Sequence, residues 1–201
     1  MSGEPIGFYF DFISPYGYLG SVAIEKLAAK YRREVEWRPV LLGVTVLKIM
    51  GMKPLPETPL KGPYLARDIV RTAGFLDIPY AAQPATISAL PVMRAFVRLN
   101  ERDSALAKKF GQEVYRTRCV EAEDPSTPKG LTKIARTLGL DATELIGAND
   151  DPAIKTRLVE RVNQAVAAGV FGVPTFETGG ELFWGTDHLP QLERWLTTGG
   201  W

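Results

Sequence analysis

A serine at the start of a predicted helix is the residue in this sequence best placed to do chemistry. The apolar run at residues 6–13 is typical of a buried strand, and Ser14 and Pro15 follow it directly. Serine is a favoured N-cap, and proline suits the first helical position because that position needs no N–H. The free N–H groups and positive dipole end of a helix N-terminus favour an anion. Ser14 is therefore either only a helix cap or a hydroxyl that meets an anionic ligand.

The counts of cysteine, histidine and charged residues narrow this chemistry. One cysteine, Cys119, excludes an intramolecular disulfide and a Cys-rich metal site, and one histidine, His188, argues against a His-based metal centre or a Ser–His–Asp triad. The 24 Lys and Arg residues balance 23 Asp and Glu, which does not favour nucleic acid or a membrane surface as a partner. Because no signal segment and no run of about 18 apolar residues is found, we expect a cytoplasmic protein without a membrane span.

The elements predicted around Ser14 begin a parallel sheet. Apolar residues recur at helical spacing over residues 15–30, and the alternation at residues 35–40 predicts a second strand. A strand–helix–strand order normally gives parallel pairing with a right-handed crossover. Residues 51–63 then form a loop rich in proline and glycine, and helical patterns dominate from there to about residue 168.

Strand patterns return near the C-terminus. Residues 175–178 and 181–184 flank Gly179-Gly180, which is typical of a two-residue hairpin turn, and Thr186-Asp187 predicts the cap of a last helix. Without the central helices, this is the element order of a thioredoxin-like fold. The central block is best interpreted as an insertion, because the first βαβ unit lacks enough sheet to stand alone. We therefore predict an α/β protein with a thioredoxin-like domain at 1–45 and 165–201 and an inserted all-helical domain at 46–164.

Four short motifs carry a resemblance to a known family. They are Phe8–Tyr16, Lys61–Tyr64, Phe171–Thr175 and Trp184–Asp187. In this order and spacing they resemble the DsbA-like group of thioredoxin folds, and within it the 2-hydroxychromene-2-carboxylate isomerases and kappa-class glutathione transferases. The resemblance implies that the Val173-Pro174 bond is cis and that its loop faces the N-terminus of the first helix.

The resemblance also explains which residues are missing around Ser14. DsbA-like oxidoreductases carry Cys-x-x-Cys where this chain has Ser14-Pro15-Tyr16-Gly17, so dithiol–disulfide exchange cannot run from this site. Sulfur must then arrive with a ligand, and in the resembling families that ligand is glutathione, whose sulfur faces the serine. A thiol reacts as its thiolate, to which a serine O–H can donate a charge-assisted hydrogen bond. Ser14 is thus expected to be catalytic without being a nucleophile.

The same resemblance implies the remaining residues of a glutathione site. The backbone of Val173 would pair with the cysteinyl part, and Thr186 and Asp187 would hold the γ-glutamyl end. Lys61 either reaches a glutathione carboxylate or is a solvated loop lysine. The full set expected to bind glutathione is Ser14, Pro15, Tyr16, Met52, Lys61, Val173, Pro174, Thr186 and Asp187. Two positions depart from the family pattern, since Met52 stands where Asn is frequent and His188 where Arg is common.

The activity implied is a glutathione-dependent cis–trans isomerisation of the 2-hydroxychromene-2-carboxylate type, as in aromatic catabolism. The glutathione thiolate would add to a conjugated carbon of an aromatic or chromene carboxylate, a single bond would rotate, and elimination would return glutathione. Because relatives are often dimers, a homodimer is expected. Two alternatives stay open: a kappa-type glutathione transferase or peroxidase, and a non-catalytic DsbA-like binding module.

Two further features have a structural and a functional interpretation. Arg94, Arg98 and Arg102 recur every four residues along one helix face, which is either a solvated face or a surface that attracts an acidic substrate. Cys119 ends a helical pattern and is predicted to be a small buried residue.

Overall fold

A four-stranded mixed sheet forms the base on which Ser14 lies. The computed structural model describes residues 3–201, and the strands β1 (Ile6–Phe10), β2 (Val35–Pro39), β3 (Thr175–Thr178) and β4 (Glu181–Trp184) lie in the order β2–β1–β3–β4. β1 is parallel to β2 and antiparallel to β3, and β3 is antiparallel to β4. The thioredoxin-like sheet predicted from the sequence is confirmed.

The helices lie mostly between β2 and β3 in the chain. They are α1 (Pro15–Lys30), α2 (Lys61–Phe75), α3 (Ala89–Asn100), α4 (Ser104–Cys119), α5 (Pro128–Leu138), α6 (Ala142–Gly147), α7 (Pro152–Ala167) and α8 (Leu189–Thr198). A π-helical segment at Gly43–Ile49 and 3₁₀ turns at Leu55–Glu57 and Thr186–His188 complete the order. Within residues 3–201, no helix is both long and apolar enough to cross a membrane.

The central strand β1 explains the continuous apolar run that precedes Ser14. All five of its residues are buried, as expected for a strand that is covered on both faces. The Phe8 ring contacts Trp37 of β2 edge-on at 5.0 Å between centroids, and it stacks on Phe176 of β3 at 5.8 Å. This aromatic packing holds the three strands together and fixes the position of the end of β1, from which the chain continues to Ser14.

The chain divides into two compact units. One contains the chain up to Ile78 together with Ala165–Trp201, and so holds the sheet, α1, α2 and α8; the other is Pro79–Gln164. The first unit includes residues 46–78, which the sequence analysis placed in the inserted domain. The domain assignment of 1–45 with 165–201 and of 46–164 stays a prediction.

The three arginines of α3 have a structural role in the second unit. Arg94 donates to the carbonyl oxygen of Asn149 at 3.0 Å and to its side-chain Oδ1 at 2.7 Å. Arg98 forms an ion pair with Asp151, and Arg102 forms one with Glu144. The arginines therefore tie α3 to α6 and to the segment before α7, a role that neither interpretation of the spacing had anticipated.

Candidate active site

Ser14 is the N-cap of α1, as the sequence predicted, and it keeps a proton to donate. Its Oγ accepts a hydrogen bond from the N–H of Gly17 at 3.0 Å, and its side chain is buried. No acceptor for the Ser14 O–H lies among residues 3–201. The cap geometry therefore uses an oxygen lone pair and leaves the hydroxyl proton available to a ligand.

Asp11 fixes the turn that presents Ser14. One carboxylate oxygen accepts from the N–H of Ile13 at 3.2 Å, and the other accepts from the N–H of Leu42 at 2.8 Å. The Asp11 carbonyl also accepts from the N–H of Ser14 at 3.0 Å. Because the Asp11 side chain is wholly buried, these bonds hold the turn rigidly between β1 and the segment after β2. Asp11 was not among the residues predicted from the sequence, since nothing in the local pattern indicates the contact with Leu42.

The Val173-Pro174 loop packs against the side of α1. The peptide bond between these two residues is cis, as the sequence analysis expected. A Cβ on Gly20 of α1 would lie 2.7 Å from the Cβ of Pro174, so the loop approaches the helix as closely as glycine allows. Neither the N–H nor the C=O of Val173 has a hydrogen-bond partner within the described part of the chain. These groups are free to pair with an extended ligand in the manner of an added strand.

A cleft of about 500 Å³ in the first unit brings together five of the nine expected site residues. Those that line it are Tyr16, Val173, Pro174, Thr186 and Asp187. The cleft is also lined by residues that the sequence analysis did not select, namely Leu55, Asp68, Thr72, Phe75, Leu76, Trp184 and Gly185. Ser14, Pro15, Met52 and Lys61 do not line it. The volume falls in the usual range for small-molecule sites.

Thr186 and Asp187 begin the 3₁₀ turn that leads into α8. Gly185 precedes them with a φ of 96°, a backbone conformation that favours glycine at this position. The Asp187 side chain is 82% exposed, and Nδ1 of His188 lies 3.5 Å from its Oδ1. Its carboxylate is consequently accessible to a charged group of a ligand.

Of the other three expected residues, Pro15 is the first residue of α1, and Met52 and Lys61 lie on exposed segments. Met52 is exposed, and its N–H donates to the carbonyl of Val46 at 2.9 Å. A thioether has no hydrogen to donate, so this side chain cannot supply the bond that an asparagine would give. Lys61 is the first residue of α2 and is exposed, with no ion-pair partner within residues 3–201.

Tyr16 and Asp68 form a polar pair at the wall of the cleft. The Tyr16 hydroxyl donates to Oδ2 of Asp68 in a short hydrogen bond that joins α1 to α2. Burial, followed by the hydrogen bond to Asp68, raises the pKa of Tyr16, so the phenol stays protonated at neutral pH. The sequence around Asp68 predicts a helix, but nothing in it indicates a hydrogen-bond partner 52 residues away. Only the fold brings α1 and α2 together.

Cys119 takes no part in the cleft and lies wholly buried in the second unit. Burial raises the pKa of its thiol to about 11, and the neighbouring Arg118 guanidinium only partly opposes this effect. The prediction of a small buried residue is confirmed. Among the described residues, no group of three or more His, Cys, Asp and Glu side chains could hold a metal ion.

The native Cys119 thiol should therefore react about 100-fold more slowly with iodoacetamide at pH 8 than a free thiol, because the thiolate is the reactive form. Mass spectrometry of the intact protein measures this directly, since the chain has one cysteine. The same protein in denaturant provides the reference rate. Equal rates for native and denatured protein would contradict the burial of this thiol.

The fold and the cleft define a thioredoxin-like protein with a serine, Ser14, at the N-terminus of its first helix. Residues 5–197 match the family model of the DSBA-like thioredoxin domain, so this chain belongs to that family. A 2-hydroxychromene-2-carboxylate isomerase from Sphingobium xenophagum is 30% identical over 194 residues, which cover 96% of this chain and 98% of that protein. The resemblance inferred from four motifs is confirmed.

A second group of relatives and a solved structure extend this comparison. Human glutathione S-transferase kappa 1 is 25% identical over 206 residues, covering 94% of this chain and 91% of that protein. The solved structure of a 2-hydroxychromene-2-carboxylate isomerase matches this fold with a TM-score of 0.84 and 27% identity, covering 96% of this chain and 94% of that one. The chain is thus similar over nearly its full length to isomerases and to kappa-class transferases.

Proposed function

We propose that this protein is a glutathione-dependent isomerase of the 2-hydroxychromene-2-carboxylate type, acting on a conjugated aromatic or chromene carboxylate. The observation that carries the proposal is the Ser14 hydroxyl, which keeps an unpaired proton at the N-terminus of α1 where a redox relative carries sulfur. Full-length similarity to isomerases supports the same conclusion. A cytoplasmic homodimer belongs to this proposal and rests on the resemblance alone.

The groups in and beside the cleft fit glutathione. The free N–H and C=O of Val173 suit the backbone of a short extended peptide. Asp187 offers an accessible carboxylate for an ammonium group, and Thr186 offers a hydroxyl at the start of the turn into α8. Met52 and Lys61 lie on exposed segments outside the cleft lining, so we assign them no required contact. The residues proposed to bind are therefore the five expected residues that line the cavity, together with Ser14 at the N-terminus of α1.

In this proposal, Ser14 and the first turn of α1 stabilise the negative charge of the glutathione sulfur. Bound glutathione supplies the sulfur nucleophile that this chain lacks at Ser14 and Gly17. Ser14 donates its Oγ–H to an anion, and the N–H groups of the first turn of α1 add a positive field. Because these donors are fixed by the Asp11 turn before any ligand arrives, stabilising negative charge costs little reorganisation.

A kappa-type glutathione transferase or peroxidase is the second candidate. Human and nematode kappa-class proteins are 24–28% identical over at least 92% of this chain, which is close to the identity with the isomerases. Such an enzyme would use the same thiol site with a different acceptor. A DsbA-like module that only binds thiol peptides is the third candidate.

Turnover separates the three candidates. We expect the purified protein to convert 2-hydroxychromene-2-carboxylate, followed by its spectral change, only when glutathione is present and without net consumption of glutathione. Consumption of glutathione with chlorodinitrobenzene or a hydroperoxide, without isomerisation, would instead identify the transferase or peroxidase. Binding of glutathione without any turnover would leave the binding module and refute the proposed enzyme.

A further inference from the structure

The Tyr16–Asp68 pair is part of a larger network on α2. Nη2 of Arg71 donates to Oδ1 of Asp68 in a short hydrogen bond and to the Tyr64 hydroxyl at 3.0 Å. The Arg71 guanidinium also lies over the Tyr64 ring, 5.5 Å from its centroid. Both carboxylate oxygens of Asp68 are therefore held, one by the phenol from α1 and the other by a guanidinium from its own helix.

This network fixes the charge at the cleft wall. The hydrogen bond donated by Tyr16, together with those from Arg71 and Tyr64, lowers the pKa of Asp68 against the opposing effect of burial. The carboxylate is thus ionised at neutral pH, while Tyr16 stays neutral. The Asp68 side chain is only 22% exposed, so water screens its charge incompletely.

Asp68 consequently has two opposed effects on an anion in the cleft. Its hydrogen bond holds the Tyr16 side chain, which lines the cavity two residues after Ser14. Its negative charge, however, disfavours a second anion nearby, and Asp187 is a further carboxylate among the lining side chains. Arg71 supplies the positive charge that offsets Asp68.

We propose that Asp68 is a positioning residue that fixes Tyr16 as a wall of the glutathione site, and that Arg71 is the counter-charge that lets this wall lie beside a sulfur anion. The inference rests on the proposed function, because the anion is the thiolate of bound glutathione. It assigns roles to Asp68 and Arg71, which the motif comparison left without one, and gives Tyr16 a specific role in the site.

The test is a pair of charge variants with opposite expected signs. Asp68→Asn should weaken glutathione binding about tenfold in calorimetry, because Tyr16 loses a charged acceptor, and should lower the pKa of the bound thiol by about 0.5 unit. Arg71→Gln should raise that pKa by about 0.5 unit, since the carboxylate then lacks its counter-charge. The ultraviolet absorbance of the thiolate, followed against pH, measures both shifts.

A third variant tests the positioning role separately. Tyr16→Phe should weaken glutathione binding about as much as Asp68→Asn, and the double variant should be no weaker than either single one, because all three lose the same charge-assisted hydrogen bond between the phenol and a carboxylate. Additive losses in the double variant would overturn the positioning role, and unchanged affinity in Tyr16→Phe would overturn it even if Asp68→Asn were poorly folded.

The control is Arg157→Gln, which removes an arginine that is paired with Glu101 and Glu160 in the part of α7 that belongs to the second unit. It should change neither the affinity nor the thiol pKa. Thiol pKa shifts of the same sign in Asp68→Asn and Arg71→Gln, or no shift in either, would overturn the inference. A wild-type protein that binds glutathione but isomerises nothing would refute the proposed enzyme alone, whereas absence of glutathione binding would refute both.

Discussion

Replacing Ser14 by alanine should lower glutathione-dependent turnover by about 100-fold or more, the usual effect of removing one preorganised donor from a developing negative charge. The variant loses the only group of the Ser14 side chain that can donate a hydrogen bond, while Pro15 and the backbone of α1 are unchanged. Initial rates at saturating glutathione, together with the thiolate absorbance of bound glutathione, measure the effect. We expect a smaller fraction of the bound glutathione to be thiolate at neutral pH, as well as slower turnover.

The loss of a helix cap must be separated from the loss of a donor. Removing the cap should destabilise the fold by about 1 kcal/mol. Thr127→Ala is a matched control, because Thr127 caps α5 by accepting from Gly130 N–H at 3.0 Å and is also followed by a proline. Both variants should shift the urea midpoint by similar amounts, but only Ser14→Ala should lose activity. Full activity in Ser14→Ala would show that the serine is a cap and nothing more.

The features predictable from the sequence are those with a local physical cause. The apolar run before Ser14 predicted β1, the Ser14-Pro15 pair predicted the start of α1, and Gly179-Gly180 predicted the hairpin between β3 and β4. Each of these signals acts within a few residues of the structure it specifies. The cis bond at Val173-Pro174 was predictable only through the family resemblance, since an isolated X-Pro bond is more often trans.

The features that could not be predicted depend on pairs far apart in the chain. Asp11 bonds the N–H of Leu42, and Tyr16 bonds Asp68, but neither partner carries a sequence signal for the other. An aspartate on a helical pattern is normally a solvated residue, so only the meeting of α1 with α2 gives Asp68 a place in the cleft wall. Site residues on separate elements are therefore the ones that sequence analysis missed here.

Gly20 is another residue whose important contact lies far away in the chain, at Pro174. Its substitution by alanine is the second change for which we expect a large effect. Gly20→Ala would normally stabilise the middle of a helix by about 1 kcal/mol. Here the added Cβ would lie 2.7 Å from the Pro174 Cβ and 2.9 Å from its Cγ, in a contact with no space to spare. Overpacking of this kind costs about 1–3 kcal/mol, so the variant should be less stable than the wild type in urea unfolding. Because relief requires the Pro174 loop to move, glutathione affinity should fall as well.

Gly74→Ala supplies the matched comparison for this substitution. Gly74 lies in the last turn of α2, and a Cβ there would meet no atom within 4 Å. It should gain about 0.5 kcal/mol from helix propensity without changing glutathione affinity. If the two substitutions change the free energy of unfolding with opposite signs, the destabilisation by Gly20→Ala arises at the contact between α1 and the Val173-Pro174 loop. A Gly20→Ala protein as stable as Gly74→Ala would instead mean that the loop yields freely, and Val173 could then not be a fixed partner for an extended ligand.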